Sequence, residues 1–190
     1  MDLFNMALIV IAILSLISWV RMLIDMKKNP IVSKYYDLSN EDICEIKNII
    51  KNMDGRQFEI FCEYLFKQTE QYSSVVLTQA TQDEGRDVIL TTHDGEVIYV
   101  ECKRYTDQAR REEWTIGREI LQKLTGAMIS NNVKHGIVFT TGNIHQNGWD
   151  FINKLEANNP DIKIEIYNMD TIMQMVKEYC DSNIYRYILA

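Results

Sequence analysis

Residues 87–105, DVILTTHDGEVIYVECKRY, decide how the rest of the chain is read. Two β-branched runs, 87–92 and 96–105, flank His93-Asp94-Gly95. Asp-Gly between alternating apolar residues is a strong hairpin signal, because a tight turn needs the positive φ that glycine accepts. The period of two along a strand puts Val97, Tyr99, Glu101 and Lys103 on one face and Ile98, Val100 and Cys102 on the other. With the turn centred near Asp94-Gly95, Asp87 falls opposite residue 102 or 103. Asp87 and Glu101 can then meet at one edge of the hairpin, with Lys103 beside them.

Upstream of the hairpin the pattern is helical. Ser39 is a good N-cap, with acidic Asp42 three places on, and Ile43, Ile46, Ile49 and Ile50 follow at helical spacing. Asp54-Gly55 breaks this helix, and a second carries Phe58, Phe61, Cys62, Leu65 and Phe66 on one face. A β-branched run over 74–78 reads as a strand. Downstream, a helix is expected over 112–131, on Trp114, Ile116, Ile120, Leu121, Leu124 and Met128. A buried strand over 135–141, a helix over 146–157, a strand over 162–167 and a helix over 169–179 complete the chain. This order predicts an α/β sandwich: a mixed central sheet flanked by helices on both faces.

The first thirty residues differ in kind. From Leu3 to Val20 there is no charged residue, and Met22, Leu23 and Ile24 extend the apolar character past Arg21. An apolar run of this length reads as a membrane span, since about 20 helical residues cross a hydrocarbon core. A cleaved signal peptide would need a basic start and a small-residue cleavage site, and neither is evident. A buried core helix would seldom be apolar around its whole circumference. Arg21, Lys27 and Lys28 follow the span, which predicts a single-pass protein of the inner or cell membrane with its C-terminal part in the cytoplasm. Asn29-Pro30 ends the helix. The expected division is a transmembrane anchor, 1–30, a helical linker, 31–52, and one folded domain, 53–190.

Composition narrows the function. A net charge of -7 argues against a protein that coats nucleic acid, yet leaves room for an enzyme that meets phosphate through a bound cation and a local basic strip. The four cysteines are scattered, with no metal or disulfide spacing, and read as reduced, buried residues. His135 and His145 lack metal-ligand spacing and read as structural or exposed.

Two carboxylates at one point repel unless a cation lies between them. A hard divalent ion such as Mg²⁺ takes oxygen ligands, polarises a phosphodiester oxygen and lowers the pKa of a bound water. Lys103 could orient or deprotonate that water, or neutralise charge developing on the phosphate. From spacing alone, a solvated strand face with alternating charges fits the pattern as well. Lys103, Arg104, Arg110, Arg111, Arg118 and Lys123 are six basic residues in a 21-residue window holding four acidic ones, a candidate phosphate-tracking strip or simply a solvated face.

At these residues the chain resembles the Mrr-type (type IV) restriction endonuclease catalytic domain, a branch of the PD-(D/E)XK nucleases. Met53-Asp54-Gly55-Arg56-Gln57-Phe58-Glu59 is similar to the family's opening helix with its Phe-Glu pair. Residues 78–87, TQATQDEGRD, resemble the D-x-G-x-D approach, and Val100-Glu101-Cys102-Lys103-Arg104-Tyr105 resembles the V-[QE]-C-K-x-Y strand. Leu124-Thr125-Gly126-Ala127-Met128 and residues 136–142, GIVFTTG, match the following helix and strand. The likeness spans residues 53–179 and implies a restriction-endonuclease-like sandwich with a metal-dependent endonuclease activity on DNA. Carried over by residue, it makes Asp87 and Glu101 ligands of Mg²⁺ or Mn²⁺, joined by the Cys102 carbonyl, and Lys103 the catalytic lysine. Glu59 is a further catalytic candidate, near the metal directly or through water, or else a surface ion pair. Gln122 is expected to face the cleft, and Gly85 to serve the turn before Asp87.

Relatives often carry a separate DNA-recognition domain, and here the apolar segment and linker stand in its place. Recognition would then come from a regulatory partner, from homo-oligomerisation or from weak intrinsic preference. A restriction or phage-defence nuclease at the membrane is the leading expectation. A structure-selective repair nuclease for junctions or flaps, and a non-catalytic nuclease-fold interaction module, are the alternatives.

Overall fold

The fold is described from a computed structural model, covering residues 39–79, 85–105, 115–180, 184 and 188 of the chain. The apolar segment read as a membrane span lies outside the described residues. Among those residues no helix is long and apolar enough to cross a membrane.

Helix α1, Asn40–Asn52, starts where expected, because Ser39 and Asp42 form a reciprocal capping box: the Asp42 N–H donates to Ser39 Oγ at 3.1 Å and the Ser39 N–H to Asp42 Oδ2 at 2.9 Å. Asp54 and Gln57 repeat the device at the head of α2, Gly55–Gln68. Then come β1, Tyr72–Leu77, β2, Val88–Thr92, and β3, Val97–Lys103. Two short strands, β4, Thr115–Ile116, and β6, Asn143–Ile144, alternate with α3, Arg118–Ser130, and β5, His135–Thr140. Helix α4, Gln146–Asn158, strand β7, Lys163–Tyr167, and helix α5, Met169–Tyr179, follow.

The central sheet has the order β1-β2-β3-β5-β7. β1, β2 and β3 pair antiparallel, while β3, β5 and β7 pair parallel, so β3 is the strand at which the sheet changes sense. One face packs on α1, α2 and α5 through Ile46, Ile50, Phe58, Phe61, Val100 and Ile172. The other packs on α3 and α4 through Tyr99, Leu121, Leu124, Val138 and Ile152. The result is the expected mixed sheet between helical layers.

Three expectations are corrected. The helix placed over 112–131 starts only at Arg118, because Ile116 is fully buried and pairs with Ile144 in a parallel two-stranded ladder. The hairpin register runs Val88↔Val100 to Thr91↔Val97, so its continuation sets Asp87 opposite Glu101 rather than residue 102 or 103. His93, Asp94 and Gly95 form the turn: Thr92 N–H donates to Glu96 O at 2.9 Å, Glu96 N–H donates to Thr92 Oγ1 at 2.9 Å, and Gly95 takes φ +89°. Cys44 is exposed on the outer side of α1, while the other three cysteines are buried. Ile46 and Ile50 of α1 are wholly buried in the same cluster as Phe58 and Phe61 of α2.

Phe139 of β5 holds α2 on the sheet, with ring centroids 5.2 Å from Phe58, 6.3 Å from Phe61 and 5.9 Å from Phe66. Phe139→Ala leaves a cavity among these rings and is expected to cost about 3–5 kcal/mol, read as a lower urea midpoint at unchanged slope. A loss below about 1 kcal/mol would mean that the ring cluster does not carry this packing.

Candidate active site

Asp87 stands just ahead of β2, held by β3 on one side and by the end of β1 on the other. Its N–H donates to Val100 O at 2.7 Å, and its carbonyl accepts from the Thr78 N–H at 2.9 Å. Its carboxylate Oδ2 accepts from the Cys102 N–H at 2.6 Å. That last bond fixes the carboxylate against the middle of the E-x-K segment. The alternation of β3 is as expected: Ile98, Val100 and Cys102 enter the cluster under α1, α2 and α5, whereas Tyr99 enters the one under α3 and α4. Glu101 and Lys103 share the Tyr99 face.

Glu101 is 0% exposed, yet Oε2 accepts no hydrogen bond from the described residues. Lys103 Nζ lies 2.7 Å from Oε1, and Lys123 Nζ of α3 lies 3.8 Å from the same oxygen. The end of β3 is pinned to β5, because the Lys103 carbonyl accepts from Thr140 Oγ1 at 2.7 Å and from the Thr141 N–H at 3.2 Å. Tyr105 N–H donates to Thr141 Oγ1 at 2.7 Å, which continues the seam.

The electrostatics follow from this crowding. Burial, and then the charge of Glu101, push the Asp87 carboxyl up from its ordinary 3.8 to about 6, against the opposing pull of the Cys102 N–H and Lys103. Burial by itself would lower the Lys103 ammonium, but its contact with Glu101 and the charge of Asp87 more than offset that and leave it raised. Lys103 therefore stays protonated at neutral pH. Burial raises the Cys102 thiol well above its usual value, and Cys62 faces it on the far side of the sheet.

The remaining candidates separate. Cys102 can offer a metal only its carbonyl, since its thiol is buried on the other face. A strand residue directs N–H and C=O to the same edge, so that carbonyl shares the edge on which the N–H meets Asp87. Glu59 sits on α2 and pairs with Arg56 at 2.7 Å, while Arg56 also donates to Thr78 O at 3.0 Å. Its charge still reaches Asp87, as one of the smaller influences that raise it. Arg104 donates to Lys51 O at 3.1 Å and Arg118 stacks over Phe151 at 5.6 Å, so these two do not converge with Lys103. Arg110 and Arg111 lie outside the described residues. Gln122 is exposed beside Arg118 and Asn147, and its neighbour Lys123 is the α3 residue that reaches Glu101. Spacing had marked Lys123 only as one of six basic residues. Gly85 takes φ +88° at the turn before Asp87, as its expected role requires. His135 binds Glu165 at 3.1 Å and His145 caps α4, both structural roles.

Among the described residues no group of three or more His, Cys, Asp or Glu side chains gathers at metal-binding spacing. The donors present at this edge are two carboxylates and a main-chain carbonyl. That set fits a hard ion that keeps several waters, and the buried Glu101 Oε2 without a hydrogen bond is the group such an ion would satisfy.

Because its folded-state value is raised, Asp87 holds its proton more tightly in the folded protein than in the unfolded chain. Without a divalent ion, stability therefore falls as pH rises from about 4 to about 6. Asp87→Asn keeps an oxygen for the Cys102 N–H and removes the charge. It is expected to stabilise the protein in EDTA by roughly 1–3 kcal/mol near neutral pH, with the difference closing at about pH 4. Thermal melting across this pH range checks it, and a variant less stable than the wild type at neutral pH would refute it.

A model of the restriction endonuclease family, that of the Mrr catalytic domain, matches residues 50–176. No curated protein matches the chain. The match runs from the end of α1 into α5 and takes in Asp87, Glu101 and Lys103, so the chain belongs to the Mrr catalytic-domain family of restriction endonucleases.

Proposed function

We propose that this protein is a divalent-metal-dependent DNA endonuclease that hydrolyses phosphodiester bonds in restriction or phage defence, held at the cell membrane by its N-terminal apolar segment. The observation that carries this reading is the buried edge where Asp87, Glu101 and Lys103 meet. Burying a carboxylate with an unsatisfied oxygen beside a second carboxylate is costly for a purely structural purpose.

Asp87, Glu101 and the Cys102 carbonyl would hold Mg²⁺ or Mn²⁺. When bound, such an ion supplies Lewis-acid polarisation of a phosphodiester oxygen and a more acidic water. Lys103 acts as a fixed cation: its raised pKa suits it to neutralise charge on the phosphate and makes it a poor base. The Thr140 and Thr141 bonds to the Lys103 carbonyl keep that lysine in place while substrate enters. Glu59, paired with Arg56, adds negative potential from the α2 side and favours a cation at the edge. The acidic balance of the chain implies weak affinity for DNA alone, so a regulatory protein or a second copy of the chain would help to engage it. The basic residues after the span would keep the catalytic domain cytoplasmic.

Membranes bearing the full chain should nick or linearise plasmid with Mg²⁺ or Mn²⁺ and not with EDTA. Asp87→Asn and Lys103→Ala should each lower the rate at least about 100-fold. Metal-independent cutting, or cutting that survives both substitutions, would sink the assignment. Separately, the full chain should stay in the membrane pellet after an alkaline wash, and a chain lacking residues 1–30 should not. Release of the full chain would refute the anchor and leave the nuclease untouched.

A further inference from the structure

Lys123 comes from a different element than the E-x-K strand, yet it reaches the same carboxylate oxygen. Its Nζ lies 3.8 Å from Glu101 Oε1, where Lys103 already stands at 2.7 Å. One buried carboxylate is neutralised by one ammonium, so a second is not needed for that oxygen alone. At this edge the carboxylates of Asp87 and Glu101 face the ammonium groups of Lys103 and Lys123. A divalent cation between the carboxylates would add positive charge beside both lysines, which an incoming phosphodiester would help to neutralise.

The lysine is also held in position. Gly85, at φ +88°, lays its backbone against the Lys123 stem: a Cβ there would stand 3.1 Å from Lys123 Cγ and 3.2 Å from its carbonyl oxygen. The turn that delivers Asp87 thus also packs on this side chain. Buried Leu121 and Leu124 fix the helix on either side. The Lys123 side chain is 49% exposed, against 35% for Lys103, so it is the more solvent-facing of the pair.

We infer that Lys123 is a further substrate-contacting residue, a second cation that grips the phosphodiester backbone beside Lys103. The inference rests on the nuclease reading above and adds the residue on α3 that would bind the substrate. The competing role is structural: Lys123 would merely balance Glu101. The two roles differ in their effect on metal, because removing a structural counter-charge disturbs the carboxylates themselves.

The test uses the full-length chain in detergent, a fluorescent 30-base-pair duplex with Ca²⁺, and Mn²⁺ titration without DNA. Lys123→Met keeps the stem on Gly85, and Lys123→Arg keeps the charge. Lys123→Met is expected to bind duplex about tenfold more weakly and to make the slope of log affinity against log salt shallower by about one. Lys123→Arg should restore both, and Mn²⁺ affinity should hold or rise in Lys123→Met. Unchanged duplex affinity and salt slope in Lys123→Met would overturn the inference, as would a fall in Mn²⁺ affinity that accounts for the weaker duplex binding. A wild-type chain that binds Mn²⁺ but no duplex would overturn the nuclease reading and this inference together. A wild type that binds duplex equally well as Lys123→Met overturns this inference alone.

Discussion

Two carboxylates share one dry edge of the sheet, and the 2.6 Å hydrogen bond from the Cys102 N–H to Asp87 Oδ2 holds them there. Left alone, Asp87 would move away or take up a proton, because burial and the charge of Glu101 both disfavour its ionised form. The main-chain donor, Lys103 and the clamp on Asp87 by β1 and β3 keep them together. The site therefore holds an electrostatic tension: burial and the neighbouring carboxylate push Asp87 up, against the pull of the Cys102 N–H and Lys103.

The fold makes this edge possible through β3. On one side β3 pairs antiparallel with β2, whose approach delivers Asp87; on the other it pairs parallel with β5, whose Thr140 and Thr141 close over the Lys103 carbonyl. A strand at the change of sense thus receives Asp87 from a hairpin on one flank and anchoring from a crossover on the other. The crossover helix α3 returns over the same face and brings Lys123 to Glu101. The aromatic cluster around Phe139 seats α2 on the opposite face and gives the sheet its stiff back.

Local chemistry made much of this readable in advance. The Ser39 cap, the helical period of α2 and α5, and the alternation of β3 depend on neighbours a few positions away, and the chain adopted them as its pattern implied. Where the reading slipped, a longer-range contact decided. Ile116 fits the helical period of α3 but finds a strand partner in Ile144. The turn centres on Asp94, between Thr92 and Glu96, so the register sets Asp87 opposite Glu101 rather than residue 102 or 103. Helix α1 shows an apolar helical period, and only the folded core reveals that its Ile46 and Ile50 pack in one cluster with residues of α2 and α5.

The sequence by itself determined the order of the five central strands and the helices between them, the hairpin, and the shared face of Glu101 and Lys103, because a period of two or of 3.6 is a property of consecutive residues. Only the tertiary structure decided that Asp87 lies opposite Glu101, that Glu59 pairs with Arg56, and that Lys123 rather than Gln122 reaches the carboxylate. Those outcomes depend on how separate helices and strands rotate and settle against one another to fill a common core. No local pattern encodes the angle at which α3 crosses β3, and that angle selects which side chain meets Glu101.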